Sequence, residues 1–316
     1  MKTLLFLLFA SLLMAADIKP LQQAHIKGAV LDMVVSKGKI YVATDAGKVV
    51  VLDEQNLSLV QQIKVRKIKD FMGTLNDADI YSVDVLGDWV LYLAQAEEGY
   101  AELYLYKEGN ATKVLDKSAM LYAKAAKFVD KDHALLALMS DEVVLYDMKN
   151  QKILKRAKAG EYFYSVLSID PGRKYVAIGD EGGEVVIIDT HTLQKVKLFK
   201  DVNKDKILSI CMNQNLVAAG SRADKTFAIY DWKSGSYKTK KNPDFFIYVV
   251  GLSPDNRLAV YGDNDKYILK VVDTNGLELR YRLTGHKAIV NTIRFLTPKE
   301  LLSGSELGEI IKWRLP

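Results

Sequence analysis

Few of the side chains that catalyse reactions or hold metals are grouped in this chain. His25, His133, His191 and His286 lie far apart, with no His-x-His or His-x₃-His pair, so a zinc or copper site is not expected. Neither a Gly-x-Ser-x-Gly elbow nor a Gly-x₄-Gly-Lys-Ser/Thr loop occurs, which argues against hydrolase and NTPase chemistry. Asp201-Val202-Asn203-Lys204-Asp205 opens like a calcium loop, but Lys206 and Met212 stand where Gly and Glu are needed, so it reads as a polar connection. Asp263-Asn264-Asp265 reads as a tight acidic turn. Cys211 is the single cysteine, which rules out an intramolecular disulfide and any Cys-x-x-Cys metal or haem motif. It falls in an apolar run and reads as a small buried hydrophobe. No catalytic, cofactor-binding or metal-binding residue is therefore assigned. The alternative reading is an enzyme, or a small-molecule or cation binder, that uses Asp32, Asp84 and Lys124 from three successive repeats at a common centre, although the equivalent positions of later repeats are mostly apolar or small.

Surface candidates are stronger. Tyr162-Phe163 and Phe245-Phe246 occupy equivalent places before two apolar runs, and exposed aromatics dominate interface energetics. Lys64, Arg66 and Lys67 form one basic cluster, and Lys238 to Lys241 form another. Such clusters would steer an acidic protein or touch anionic lipid head groups. A net charge of +5, dispersed over 316 residues, does not indicate nucleic acid. With 49% hydrophobic and 26% charged residues, the chain has a composition that folds, which excludes intrinsic disorder.

The elements that position these residues repeat. Apolar runs ending in aspartate recur at Asp147, Asp189, Asp231 and Asp273, each 42 residues after the last. Asp53 and Lys107 close two earlier runs and Arg314 closes the final one. Each unit has the same order, shown by Tyr164–Ile169, the turn Asp170-Pro171-Gly172-Arg173, Tyr175–Gly179, a Gly-containing turn, and Glu184–Asp189. Pro and Gly supply the turn backbone, and β-branched and aromatic residues fill the runs. Short antiparallel strands at this period predict an all-β chain folded as one seven-bladed β-propeller. The chain stops just after the third strand of blade seven, so the segment 18–26 is expected to supply the missing outer strand and close the ring. Residues 64–79 read as an insertion ahead of blade two.

The last unit resembles a WD40 repeat, with Gly285-His286 at its start, Ser303-Gly304-Ser305 in its second strand and Trp313-Arg314 replacing the usual Trp-Asp. The resemblance implies a structural hydrogen-bonded network through His286, Ser303 and Trp313. Leu307 occupies the turn position that holds aspartate in the family, so that network is expected to be incomplete.

Met1-Lys2, the apolar run Leu4 to Leu13 and Met14-Ala15-Ala16 read as a cleavable signal peptide over 1–16, followed by the propeller over 17–316. Roughly ten apolar residues are too few to span a bilayer, and no cysteine follows for a lipid anchor. A periplasmic monomer without a stable membrane anchor is expected. Signal sequence and degenerate blades together are similar to the NapL-type accessory proteins encoded with some periplasmic nitrate reductases. That resemblance implies non-catalytic help in maturation or electron delivery, with the reductase as the protein partner.

Overall fold

The computed structural model describes residues 15–263 and 265–316, so the run assigned to export, up to Met14, lies outside the described residues, as does Asn264. Strands dominate, and seven meandering antiparallel sheets form the seven blades of a β-propeller, consistent with a WD40-like type. Blade three is representative, with Ala123–Phe128 innermost, then His133–Leu138, Glu142–Asp147 and, outermost, Lys152–Lys158. Middle strands such as Val49-Val50-Val51-Leu52 are buried on both faces because blades stack face to face, which is why they read as unbroken apolar runs. Outer strands such as Lys152–Lys158 face water and carry lysines, which protects a free sheet edge.

Glycines late in the second strand let neighbouring blades approach. A Cβ at Gly179, Gly220 or Gly304 would lie 2.7, 2.2 and 2.7 Å from the next blade's Ile207, Ile247 and Val30. Contacts that close leave no room for any larger residue.

The ring is closed from both chain ends. Gln22–His25 adds antiparallel to Glu309–Arg314 as the fourth strand of blade seven, pairing Gln22 with Lys312 and His25 with Glu309. The expected strand over 18–26 is broken in two. Ala16–Ile18 runs parallel to Leu279–Leu283, as a fifth strand of blade six. Pro20 separates the pieces, since it cannot donate to a ladder. The segment 64–79 folds as a two-stranded hairpin, Ile68–Lys69 with Leu75–Asn76, whose turn is held by Asp70 accepting from Met72 N and Thr74 N at 2.9 Å. Blade six begins late, its inner strand covering only Val250–Leu252. Ile247 N there bonds to Ser221 O of blade five at 3.1 Å rather than within its own sheet.

Candidate functional site

The axis of the ring is the first place to look for chemistry. Inner strands turn an edge of backbone N–H and C=O groups towards it, and such groups require partners. Side chains of the preceding blade supply them. Ser82 accepts from Ala126 N at 2.9 Å, Ser168 from Met212 N at 2.9 Å and Ser209 from Val250 N at 3.0 Å. Asp32 and Asp84 do the same for Val83 N and Phe128 N, at 3.1 and 2.8 Å.

Both carboxylates are then neutralised. Lys127 Nζ stands 2.6 Å from Asp32 and Arg294 stands 2.9 Å from it. Burial alone would raise the Asp32 carboxyl, but these two cations hold it below its usual range. Arg173 reaches across from blade four to grip Asp84 with both terminal nitrogens, at 2.5 and 3.1 Å. The axial cavity, about 410 Å³, therefore presents Lys124 rather than free carboxylates. Lys124 donates to the Tyr81 hydroxyl at 3.2 Å, and burial lowers its pKa while it pushes the Tyr81 hydroxyl up to about 12. The later repeats, expected to bring mostly apolar or small groups to the axis, contribute Arg294 and Arg173. The signal for Arg294 and Lys127 was available, because both sit at the inner-strand position of Asp84.

Among the described residues, no group of three or more His, Cys, Asp or Glu is set out to hold a metal ion. The segment resembling a calcium loop is structural. Asn203 is buried and donates to Ser221 Oγ at 2.8 Å, while Asp205 pairs with Arg222 at 3.1 Å. Cys211 is only partly buried, on an inner strand, and burial raises its thiol pKa.

The rim formed by the loops that precede the inner strands differs from the axis. Tyr162 and Phe163 both project there, Phe163 being 64% exposed. Phe163 shares a groove of about 380 Å³ with Met120, Tyr122 and Met139, from the neighbouring loop and turn of blade three. Tyr100 packs against Tyr122 with ring centroids 4.7 Å apart and planes tilted by 37°, extending the apolar surface towards blade two. Beyond it stands the hairpin, with Phe71 96% and Met72 75% exposed. Phe245 and Phe246 are instead half-buried in a cluster with Tyr248, because the late start of the blade-six strand folds them inwards. The aromatic pairs are equivalent in sequence but not in exposure.

The basic clusters are partly consumed. Lys64 is exposed, Arg66 pairs with Glu102 at 3.0 Å, and Lys67 lies 3.6 Å from Asp77. Lys238 and Lys240 lie on the outer strand of blade five and donate to the carbonyls of Asn275 and Leu277 in blade six. They clip two blades together rather than forming a rim patch.

In blade seven, Ser303 joins the network residues. Trp313 Nε1 donates to Ser303 Oγ at 2.7 Å, and Ser303 lies 2.6 Å from His286 Nε2. The network is not cut short at Leu307, which is exposed. Glu309, two residues on, places Oε2 3.3 Å from His286 Nδ1 and also accepts from Lys287 N at 3.0 Å. Burial lowers the His286 pKa, so the neutral ring donates through Nδ1 to Glu309 and accepts from the Ser303 hydroxyl. The longer Glu side chain compensates for its shifted position. A sequence signal existed, since Glu102, Glu142 and Glu184 stand at the matching place in blades two to four.

No family model matches the sequence, and no curated protein matches it either.

Proposed function

We propose that the protein is a non-catalytic periplasmic docking platform that binds a protein partner through the rim formed by blades two to four. The observation that carries this is the continuous exposed apolar arc of Tyr122, Met120, Met139, Phe163 and Tyr162, flanked by the Phe71-Met72 hairpin tip. Soluble chains rarely expose contiguous apolar patches unless something covers them. Aromatic and Met side chains on rigid loops make good anchors because little entropy is lost when they are covered. At the axis, by contrast, Asp32 and Asp84 are already neutralised by groups of the chain itself, which weighs against the ligand-binding alternative.

The finer form of the proposal assigns the partner as a component of periplasmic nitrate reductase, served during maturation or electron delivery. Support comes from the signal-like start and the similarity of the degenerate blades. Co-purification of the reductase with the tagged wild-type chain, lost on Phe163→Asp with unchanged thermal stability, is the expected result. Unimpaired nitrate respiration after deletion of the gene sinks the nitrate-reductase version. Unimpaired capture by Phe163→Asp and Met120→Asp together sinks the use of this rim.

A further inference from the structure

Beneath the Phe163 loop lies a group of acids that the fold satisfies only in part, Asp180 Oδ1 accepting from Gly182 N and Glu184 N at 2.9 Å. Asp141 ends the turn after the second strand of blade three, Asp180 ends the second strand of blade four, and Glu184 precedes the third strand of blade four. All three are buried, Asp141 and Asp180 to 1% exposure. They converge on Gly160: a Cβ there would lie 2.8 Å from an oxygen of Asp141, 2.8 Å from one of Asp180 and 3.4 Å from one of Glu184. Asp141 Oδ1, Asp180 Oδ2 and Glu184 Oε2 are buried without a hydrogen-bond partner.

The surrounding charges do not balance them. Lys200 pairs with Glu184 at 2.7 Å and is shared with Glu161 at 3.3 Å. Lys158 and Lys195 act on Asp141 only through their field, and Lys158 donates to Ser140 O. Lys206 is paired with Glu181, and Arg156 with Glu142. Unpaired buried carboxylates side by side cannot both remain ionised without a large penalty. Burial first, and then Asp180, pushes the Asp141 carboxyl up to about 6, and burial with Glu184 raises that of Asp180.

These acids hold the loop that carries the aromatic anchors. Gly160 N donates to Asp141, Ala159 N donates to Asp141 O at 2.8 Å, and Glu181 N donates to Phe163 O at 2.9 Å. Tyr162 packs its ring against Gly182 within the Asp180 turn, where a Cβ would meet the ring at 2.1 Å.

We propose that Asp141, buried beside Asp180, holds a proton that latches the 159–163 loop, and that loss of this proton as the pH rises loosens the docking rim. The regulatory meaning rests on the docking reading, but the latch itself is a property of the isolated chain. A carboxyl with a raised folded-state pKa stabilises the native state at low pH, and that stability is lost as the pH rises from about 4 through about 6.

Hydrogen exchange of the full chain at pH 5 and pH 8, corrected for intrinsic rates, tests this without any partner. In wild type, the protection of Gly160 to Phe163 should fall about tenfold or more across that range. In Asp141→Asn, whose amide mimics the protonated acid, the fall should vanish. A parallel NMR titration of the wild-type side-chain carboxyl carbons should give Asp141 a midpoint near 6. A midpoint near 4, or an equal fall in Asp141→Asn, overturns the latch. So does its abolition by millimolar calcium, which would put a metal where the proton is proposed. Failure of partner capture through Phe163 would leave these results intact and count only against docking.

Discussion

Blades seven and four solve the same structural problem with opposite chemistry. His286 stands four residues before Val290, and Gly160 four before Tyr164. Ser305 pairs with Val290 as Asp180 pairs with Tyr164, and Glu309 opens the third strand of its blade as Glu184 immediately precedes that of blade four. In blade seven a neutral imidazole fills the space and links Ser303, Trp313 and Glu309 into one chain of hydrogen bonds. In blade four there is no side chain at Gly160, and three carboxylates close round the gap. One backbone position thus carries either a satisfied network that stiffens a blade or an acid cluster that stores electrostatic strain. Buried polar groups favour the fold only when each has a partner.

The comparison can be broken most directly at Trp313, which is fully buried between blades six and seven. Trp313→Ala should cost about 3–5 kcal/mol in guanidinium unfolding, from the lost contacts and the cavity left behind. Next, Ser303→Ala removes a partner from both Trp313 and His286, and a loss of about 1–3 kcal/mol is expected by the same measurement. In blade four the sign reverses. Asp141→Asn should raise stability by about 1–3 kcal/mol at pH 8 and by roughly half as much at pH 5, read from calorimetric scans at the two pH values.

The pH slopes should oppose one another as well. His286 has a lowered pKa, so its contribution is present above the ordinary value of 6.5 and is lost as the pH falls from there through the lowered folded-state value. His286→Gln should remove a loss of stability on acidification below 6.5, and Asp141→Asn a loss on raising the pH from about 4 through about 6. Each limb responding to the wrong substitution would refute the contrast. The smallest effect is expected for Leu307→Asp, which restores the residue usual in WD40 turns. Glu309 already supplies the carboxylate, so stability should stay within about 0.5 kcal/mol.

The blade architecture was legible because its signals are local. Apolar third strands recur in every unit, four of them end in aspartates 42 residues apart, and the strand Tyr164–Ile169 lies where its pattern placed it. Ring closure was legible too, since a chain that ends one strand short needs a strand from its start, although Pro20 divided that segment between two blades. The site was less visible. Tyr162-Phe163 and Phe245-Phe246 look alike in sequence, yet only the first pair stands clear, because exposure depends on where the adjoining strand begins.

What the sequence determined alone, then, is the all-β fold, its seven units and their periodic cores, since strand and turn preferences act over a few neighbouring residues. Tertiary structure decided which charges meet. Arg173 lies 89 positions from Asp84, Arg294 lies 262 from Asp32, and Asp141, Gly160 and Asp180 come from two different blades. Pairing across such distances depends on the closing of the ring, and burial inside it turns ordinary surface residue types into neutralised pairs at the axis and an unbalanced acid cluster beneath the rim.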